Sequence, residues 1–329
     1  HYGQTVENNT LPELFEKITV SSDYQRRRQE IEAFNRSQML MIRALSVTPV
    51  KFGISFTLKH LNQGNALVNV HLDGTIQVST GATEMGQGVN VKIAQIVAEV
   101  FGLSTVAVKL MPTSTEKNHN TSPTAASSGS DINGFAAQAA AMSIRRRLAA
   151  FAGYYLGLAP EERPRSFMRR EDFSVEEWSA KMDVERDIVF EDGRVFARDR
   201  EHVAVSWVEL VEKAYVHRVS LGDYGYYKTP GIYYDRDSGR GRPFLYFTNG
   251  VAASEVEIDR YTGEVKVLRT DILMDLGRPI NPGIDEGQVV GAFVQGLGWV
   301  TTEDLRIAGD GSVLTHSPTT YKIPNIQDI

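Results

Sequence analysis

The chain has 329 residues, a formal net charge of −6 and no cysteine. Disulfides, thiolate zinc sites and protein-ligated iron–sulfur clusters are therefore excluded from it, and the acidic balance argues against a nucleic-acid partner. Hydrophobic residues make up 42% and charged residues 23%, the composition of an ordinary globular protein of roughly two domains. The lack of cysteine is compatible with a reducing cytosol, and no apolar run reaches the roughly 18 residues of a membrane span. A cytoplasmic protein with no membrane contact is expected. The chain opens on His1 rather than Met, and residues 323–329 read as an interrupted element, so a piece of a longer protein is expected.

Thr10 as cap, Pro12 in the first turn and Leu14, Phe15 and Ile18 on one face predict a first helix. An Arg- and Glu-rich second helix is predicted over 22–34. The pattern then turns extended through Leu45, Val47, Ile54, Phe56 and Leu58. Ala66, Val68 and Val70 alternate with Leu67 and Asn69 up to Asp73-Gly74, a turn dipeptide tolerant of positive φ, and Ile76 and Val78 return. Similar hairpin signals recur around Asp192-Gly193 and Thr262-Gly263. Helices are predicted from the stripe Val89, Ile93, Ile96, Val97 and Val100, over the Ala-rich stretch 128–157, over 205–216 with Ser206 as cap and Glu209 three residues on, and from Val290, Phe293, Val294 and Leu297. The polar stretch 160–182 reads as a connection. Hairpins mixed with helices predict an α+β fold rather than a doubly wound parallel sheet, and no parallel βαβ unit is legible. The segmentation expected is 1–157, an insert or connection at 158–200, and 201–329. The triplets Arg26, Arg27, Arg28 and Arg145, Arg146, Arg147 read as solvated faces or subunit contacts, as do Glu255 and Glu257.

Three loops carry candidate chemistry. In Thr83-Glu84-Met85-Gly86-Gln87-Gly88, Gly86 and Gly88 permit close backbone approach to a ligand, and the helix start that follows offers unpaired N–H groups to an anion. Gln87 supplies two donors and an acceptor. In the stretch from Asn120 to Gly129, the hydroxyls of Thr124, Ser127 and Ser128 precede a long helix and suit a phosphate, while Ala125 and Ala126 permit close packing. Gln288 and Gln295 lie seven apart on one helix face, and a buried glutamine demands partners. Each loop also reads as an ordinary helix start. No His/Asp/Glu spacing suggests a metal site, His119 reads as a surface loop residue, and Tyr224, Tyr226 and Tyr227 read as amphipathic packing.

Taken in order, Lys51-Phe52-Gly53-Ile54-Ser55-Phe56-Thr57, Thr83-Glu84-Met85-Gly86-Gln87-Gly88, Asn120-Thr121-Ser122-Pro123-Thr124-Ala125-Ala126-Ser127, Ser254-Glu255-Val256-Glu257-Ile258-Asp259, Leu268-Arg269-Thr270-Asp271-Ile272, Gly291-Ala292-Phe293-Val294-Gln295-Gly296-Leu297-Gly298 and Tyr321-Lys322-Ile323-Pro324 resemble the second molybdopterin-binding domain of xanthine dehydrogenase-type molybdenum hydroxylases. The resemblance covers nearly the whole chain outside residues 158–200. It implies hydroxylation of a purine carbon with oxygen from water, electrons passing to [2Fe-2S] clusters, FAD and NAD on other domains or subunits. It implies Gln87 near molybdenum, Gln295 on the pterin, Thr124 and Ser127 on its phosphate or pterin end with Ser128 or Ser130 able to substitute for a missing phosphate donor, and Ala125 and Ala126 lining the metal pocket. Phe56 would stack on the purine and Thr57 would hydrogen-bond it. Gly129 stands where the family pattern often has a further Ser. The family's catalytic glutamate matches no residue before Ile329, so the chain alone is expected to be inactive. Its other expected partners are the rest of the molybdopterin subunit and an iron–sulfur/FAD subunit or domain. The xanthine branch fits better than aldehyde oxidases, which usually lack these Gly-Ile-Ser-Phe-Thr and Thr-Ser-Pro-Thr-Ala-Ala-Ser forms. An assembly module that only holds cofactor and a nucleotide-binding protein using the glycine loops are the alternatives; the latter requires a parallel βαβ unit.

Overall fold

A computed structural model describes residues 2–157, 173–326 and 328. The elements run α1 (Leu11–Ser21), α2 (Tyr24–Ser37), β1 (Met41–Ile54), β2 (Gln63–Val70), β3 (Ile76–Thr80), α3 (Val89–Phe101), β4 (Val108–Leu110), α4 (Gly129–Tyr155), α5 (Val175–Lys181), α6 (Val184–Asp187), β5 (Ile188–Glu191), β6 (Arg194–Ala197), β7 (Arg200–Ser206), α7 (Trp207–Val216), β8 (Gly222–Lys228), β9 (Tyr233–Asp235), β10 (Arg240–Arg242), β11 (Tyr246–Asp259), β12 (Val265–Asp275) and α8 (Pro282–Thr301). This is the α+β arrangement of hairpins, mixed sheets and helices that the sequence predicts. The chain forms two compact units: residues 54–245 with the first four, and residues 5–53 with 246–329. Residues 173–200 lie within the first unit. The expected connection or insert at 160–182 falls partly outside the described residues, and its described end carries the helix α5.

In the first unit a four-stranded sheet runs β4-β3-β2-β8. The Asp73-Gly74 hairpin pairs β2 with β3, with Ala66, Val68 and Val70 alternately buried against the half-buried Leu67 and Asn69. The Asp192-Gly193 hairpin pairs β5 with β6. Sequence reasoning missed one connection: β3 and β4 are parallel, joined through α3. A three-residue strand is too short to show a period of two, so its pairing leaves no pattern to read.

The 27-residue α4 lies against this sheet through a face of small residues. Ala136, Ala137, Ala140 and Ala141 are fully buried. Gly225 on β8 meets the helix so closely that a Cβ there would collide with the Ala136 carbonyl, and Gly134 does the same toward Ile96 of α3. At the other end of that contact Arg147 donates to the Asp223 carboxylate at 2.6 Å, and Ser143 donates to the same oxygen at 2.5 Å. Burial would raise the Asp223 carboxyl, but the bonds from Arg147, Ser143 and the Tyr224 N–H outweigh it and hold the carboxyl below its ordinary value. The Arg145 guanidinium lies over the Phe190 ring at 4.6 Å, and Arg146 pairs with Glu185 at 2.6 Å. The triplet is thus a set of intramolecular ties and not a bare solvated face.

In the second unit the sheet order is β1-β11-β12, and α1 buries Leu14 and Ile18. Phe15 is 36% exposed, so the buried face is narrower than predicted. Thr10 stands at the N-cap of α1, but its hydroxyl makes no cap bond and donates instead to Asp275 at 2.9 Å. Arg27 is only 5% exposed. It donates to Glu255 and to Asp271, both at 2.8 Å, while Arg43 pairs with Glu257 at 2.8 Å. The solvated readings of Arg27, Glu255 and Glu257 are therefore corrected: they bind α2 and β1 to the β11–β12 hairpin. Arg27 falls four residues before the buried Ile31, in helical phase with it, which is the signal that could have found it. Among the described residues no helix is long and apolar enough to cross a membrane.

Two contrasts test this packing. Gly225→Ala should destabilise the chain at or above the upper end of the about 1–3 kcal/mol typical of overpacking. Gly291→Ala on α8, where a Cβ meets nothing within 4 Å, should be neutral or stabilising by up to about 1 kcal/mol; thermal melts of both decide it. Asp223→Asn should cost about 1–3 kcal/mol near neutral pH. Because the folded Asp223 carboxyl is depressed, its contribution is complete above the unfolded value of about 3.9 and is lost as pH falls through the folded value. Denaturant midpoints of wild type and variant should accordingly converge in acid.

Candidate functional site

Three segments of the first unit meet through a continuous set of hydrogen bonds. The segment 55–61 is held by Asn62, which is 2% exposed. Its side-chain oxygen accepts from the Phe56 N–H at 2.7 Å, and its amide donates to the carbonyls of Phe56 and Leu58, both at 3.0 Å. The next residue, Gln63, exchanges bonds with Ser122: the Gln63 N–H donates to the Ser122 hydroxyl at 3.0 Å, and the Ser122 N–H donates to the Gln63 carbonyl at 3.0 Å. Two residues on, the Thr124 hydroxyl accepts from the Thr83 N–H at 2.9 Å and so joins the 120–128 loop to the 83–88 loop. Gly81 makes room for Thr121, whose side chain sits where its Cβ would be, and Gly64 makes room for Ile132 of α4.

The backbone is strained where the sequence places ligand contacts. Ser55 has φ 133°, and Ala126 and Ser127 both have φ 54°. Non-glycine residues rarely hold such angles, and each costs on the order of 1–3 kcal/mol. Ser55 immediately precedes Phe56, which is half-buried, and the exposed Thr57 follows. Ala126 and Ser127 lead into α4, whose cap residue Ser128 makes no side-chain cap. The Ser128 hydroxyl instead donates to the Ala125 carbonyl at 3.1 Å. Asn133, one turn on, is 4% exposed, and its side-chain oxygen has no partner among the described residues.

The glycine loop departs from expectation. It follows β3 and opens α3, as a phosphate-binding turn would, with Gly86 at φ 98° and Gly88 at φ 77°. Its N–H groups are not unpaired, however. The Glu84 carboxylate accepts from Gly86 at 2.9 Å, Gly88 at 2.9 Å and Asn90 at 3.0 Å. Burial would raise this carboxyl, yet the backbone donors of Asn90, Gly88, Gly86 and Gln87 hold it below the ordinary carboxylate range. The Gln87 side chain spans the loop: its oxygen accepts from the Met85 N–H at 2.6 Å and its nitrogen donates to the Thr83 carbonyl at 2.8 Å. One N–H and one lone pair of the amide remain for a ligand.

Of the sequence-predicted contacts, Phe56, Thr57, Gly86, Gln87, Gly88, Thr124, Ala125, Ala126, Ser127 and Ser128 lie on these tied loops. Gln295 belongs to the second unit, on α8. Gln288 and Gln295 are both exposed, as is Val290; the burial expected for the glutamines is not found, and among the described residues of α8 only Gly298 is buried. His119 is exposed and rests on the Tyr224 ring at 4.4 Å. Tyr227 stacks on Phe135 at 4.8 Å, and the Tyr226 hydroxyl donates to Gln63 at 2.9 Å. Among the described residues no group of three or more His, Cys, Asp or Glu could hold a metal ion. Sequence reasoning missed Ser55, Asn62 and Glu84; a short polar side chain beside a tight loop was the only cue for Asn62.

The fold is shared with solved oxidoreductases. Quinoline 2-oxidoreductase from Pseudomonas putida 86 superposes with a TM-score of 0.77 at 23% identity, covering 99% of this chain and 38% of that one. A Cu,Mo-CO dehydrogenase gives 0.75 at 20% identity, covering 98% and 38%. Residues 17–185 and 177–329 match the family described as molybdopterin cofactor-binding domain, and the chain belongs to that family. It is 41% identical over 324 residues to the xanthine dehydrogenase/oxidase of Mus musculus and 39% identical over 331 residues to the xanthine dehydrogenase of Dictyostelium discoideum. These alignments take in 98% and 100% of this chain but 21% of each relative, so the chain spans about a fifth of their length.

The strain at Ser127 gives a test. Ser127→Gly relieves an unfavourable φ and should raise thermal stability by up to about 1 kcal/mol, read as a higher melting temperature than that of the wild type.

Proposed function

We propose that this chain is part of the molybdopterin-binding subunit of a xanthine dehydrogenase-type enzyme that converts hypoxanthine and xanthine to urate in the cytoplasm. The observation that carries the reading is the tying together of the Phe56, Gln87 and Thr124–Ser128 loops, with backbone strain at Ser55, Ala126 and Ser127, in a chain of the molybdopterin family.

The residues fit the cofactor by donor chemistry. The Ser127 and Ser130 N–H groups face no acceptor among the described residues, and with the Thr124 and Ser127 hydroxyls they suit a phosphate at the positive end of α4. Ala125 and Ala126 leave room at the same place. Gln87 offers its remaining N–H toward the metal side, and Gln295 on α8 would bind the pterin. Bound molybdopterin supplies the two-electron oxidation of a purine carbon, with oxygen taken from water. Phe56 lays an aromatic face against the purine, and Thr57 fixes its edge by a hydrogen bond. Electrons would leave through [2Fe-2S] clusters and FAD to NAD on other domains or subunits. A nucleotide-binding reading needs a parallel βαβ unit with open N–H groups in the glycine loop; β3, α3 and β4 supply the unit, but Glu84 takes the donors.

The test uses the longer protein that contains this chain. Gln87→Ala and Gln295→Ala should each lower its molybdenum and pterin content, and Phe56→Ala should raise KM for xanthine, an aromatic pair being worth about 0.5–1.5 kcal/mol beyond burial. Unchanged cofactor content in both glutamine variants would overturn the assignment. The 329-residue chain alone should form no urate even when cofactor is added, since the family's glutamate has no match in it and a positioned base supplies about 10²–10⁴ in rate. Urate formation at the intact enzyme's rate would place the base inside this chain.

A further inference from the structure

Two helix starts border the tied loops, and they are built differently. At α4 the cap residue Ser128 turns its hydroxyl back on the Ala125 carbonyl, and no side chain caps the helix. At α3 the cap residue is Gly88, which has no side chain to offer. Three of the N–H groups there nevertheless have acceptors, because Glu84 folds back from four residues upstream and places both carboxylate oxygens on them: one on Gly86 and Gly88, the other on Asn90.

We propose that Glu84 is a positioning residue whose carboxylate fills the start of α3 in place of an external anion and so fixes the backbone that carries Gln87. The geometry requires it in three ways. Gly86 and Gly88 hold positive φ, a conformation that glycine tolerates but does not enforce, so something else must select it. The carboxylate does so by binding both residues with a single oxygen. The Gln87 amide then closes the loop between Met85 and Thr83, which is possible only with the backbone already turned. Finally, a phosphate arriving at α3 would meet a like charge on donors already engaged. A turn built on the plan of a phosphate loop is filled by its own chain, and α4 is left as the start open to an anion. That last consequence rests on the molybdopterin reading above; the role of Glu84 in the loop does not.

The experiment uses the full chain and the variants Glu84→Ala and Glu84→Gln, followed by backbone amide NMR and thermal melts, with sodium acetate and inorganic phosphate as probes. In Glu84→Ala the amide signals of Gly86, Gly88 and Asn90 should move and Tm should fall by several degrees. Acetate should return those signals toward their wild-type positions and restore Tm, while wild type ignores it. A loss of packing alone would not respond to a small carboxylate. Glu84→Gln, which fills the space without the charge, should shift the same amides and show no acetate response. If Glu84→Ala does not fold, the Gln variant carries the test. Unmoved amides in the Gln variant, or an Ala variant that acetate does not restore, would overturn the proposal. The phosphate arm separates the two readings: in wild type it should move the amides of Ser127 to Ser130 and spare those of Gly86, Gly88 and Asn90. Phosphate that moves neither set tells against the cofactor assignment at α4 and leaves the Glu84 result standing.

Discussion

The backbone of α4 lies directly on β8, with Gly225 beneath Ala136 and Ala140 and no side chain between. That contact sets the geometry of the first unit. A helix brought this close can approach only along a strip of small residues, which explains the alanines at 136, 137, 140 and 141 and their complete burial. Once seated, the helix cannot roll, because any larger side chain rotated into the strip would meet backbone. Ser143 and Arg147, about one and two turns beyond Ala140, then find Asp223 on the same strand, so an ionic tie reinforces a steric one. The start of α4 and the loop that leads to it are placed by this helix.

Upstream of that anchor the site is shaped by polar side chains that bind backbone. Asn62 gathers the carbonyls and the N–H of the Phe56 segment, Ser122 trades bonds with Gln63, Thr124 takes the Thr83 N–H, and Glu84 collects the glycine loop. Each bond satisfies a main-chain group that irregular structure would otherwise leave bare. The strained angles at Ser55, Ala126 and Ser127 persist because their neighbours are held in this way. Loops fixed before a ligand arrives have little conformational freedom left to lose on binding.

How much of this is legible in the sequence depends on the range of the interaction. The hairpins at Asp73-Gly74 and Asp192-Gly193 follow from turn chemistry and alternation, α3 from its stripe and α4 from its Ala-rich composition, since those signals are local. The family pattern, quoted motif by motif, locates the loops that the structure ties together. The parallel pairing of β3 with β4 escapes, because three residues carry no period. The filling of the glycine loop also escapes: Thr-Glu-Met-Gly-Gln-Gly reads as an open turn until the Glu84 side chain is seen to fold back. The exposure of Gln295 was unreadable for a different reason, since a helical period tells which residues share a face and not whether that face is covered.

The buried Arg27 has a consequence for how this molecule can change over time. Its guanidinium is bound by Glu255 and Asp271, and one of its nitrogens, like the hydroxyl of nearby Ser22, has no partner among the described residues. Removing either acid would leave a buried cation short of one of its two partners, and removing the cation would take that partner from Glu255 while Asp271 keeps Arg269 at 2.6 Å, so each single step is costly even where the finished exchange is not. An apolar set of matching volume at positions 27, 255 and 271 could take the place of the charged one only if all three changed together. The barrier between the two solutions lies in the single steps, not in the end states.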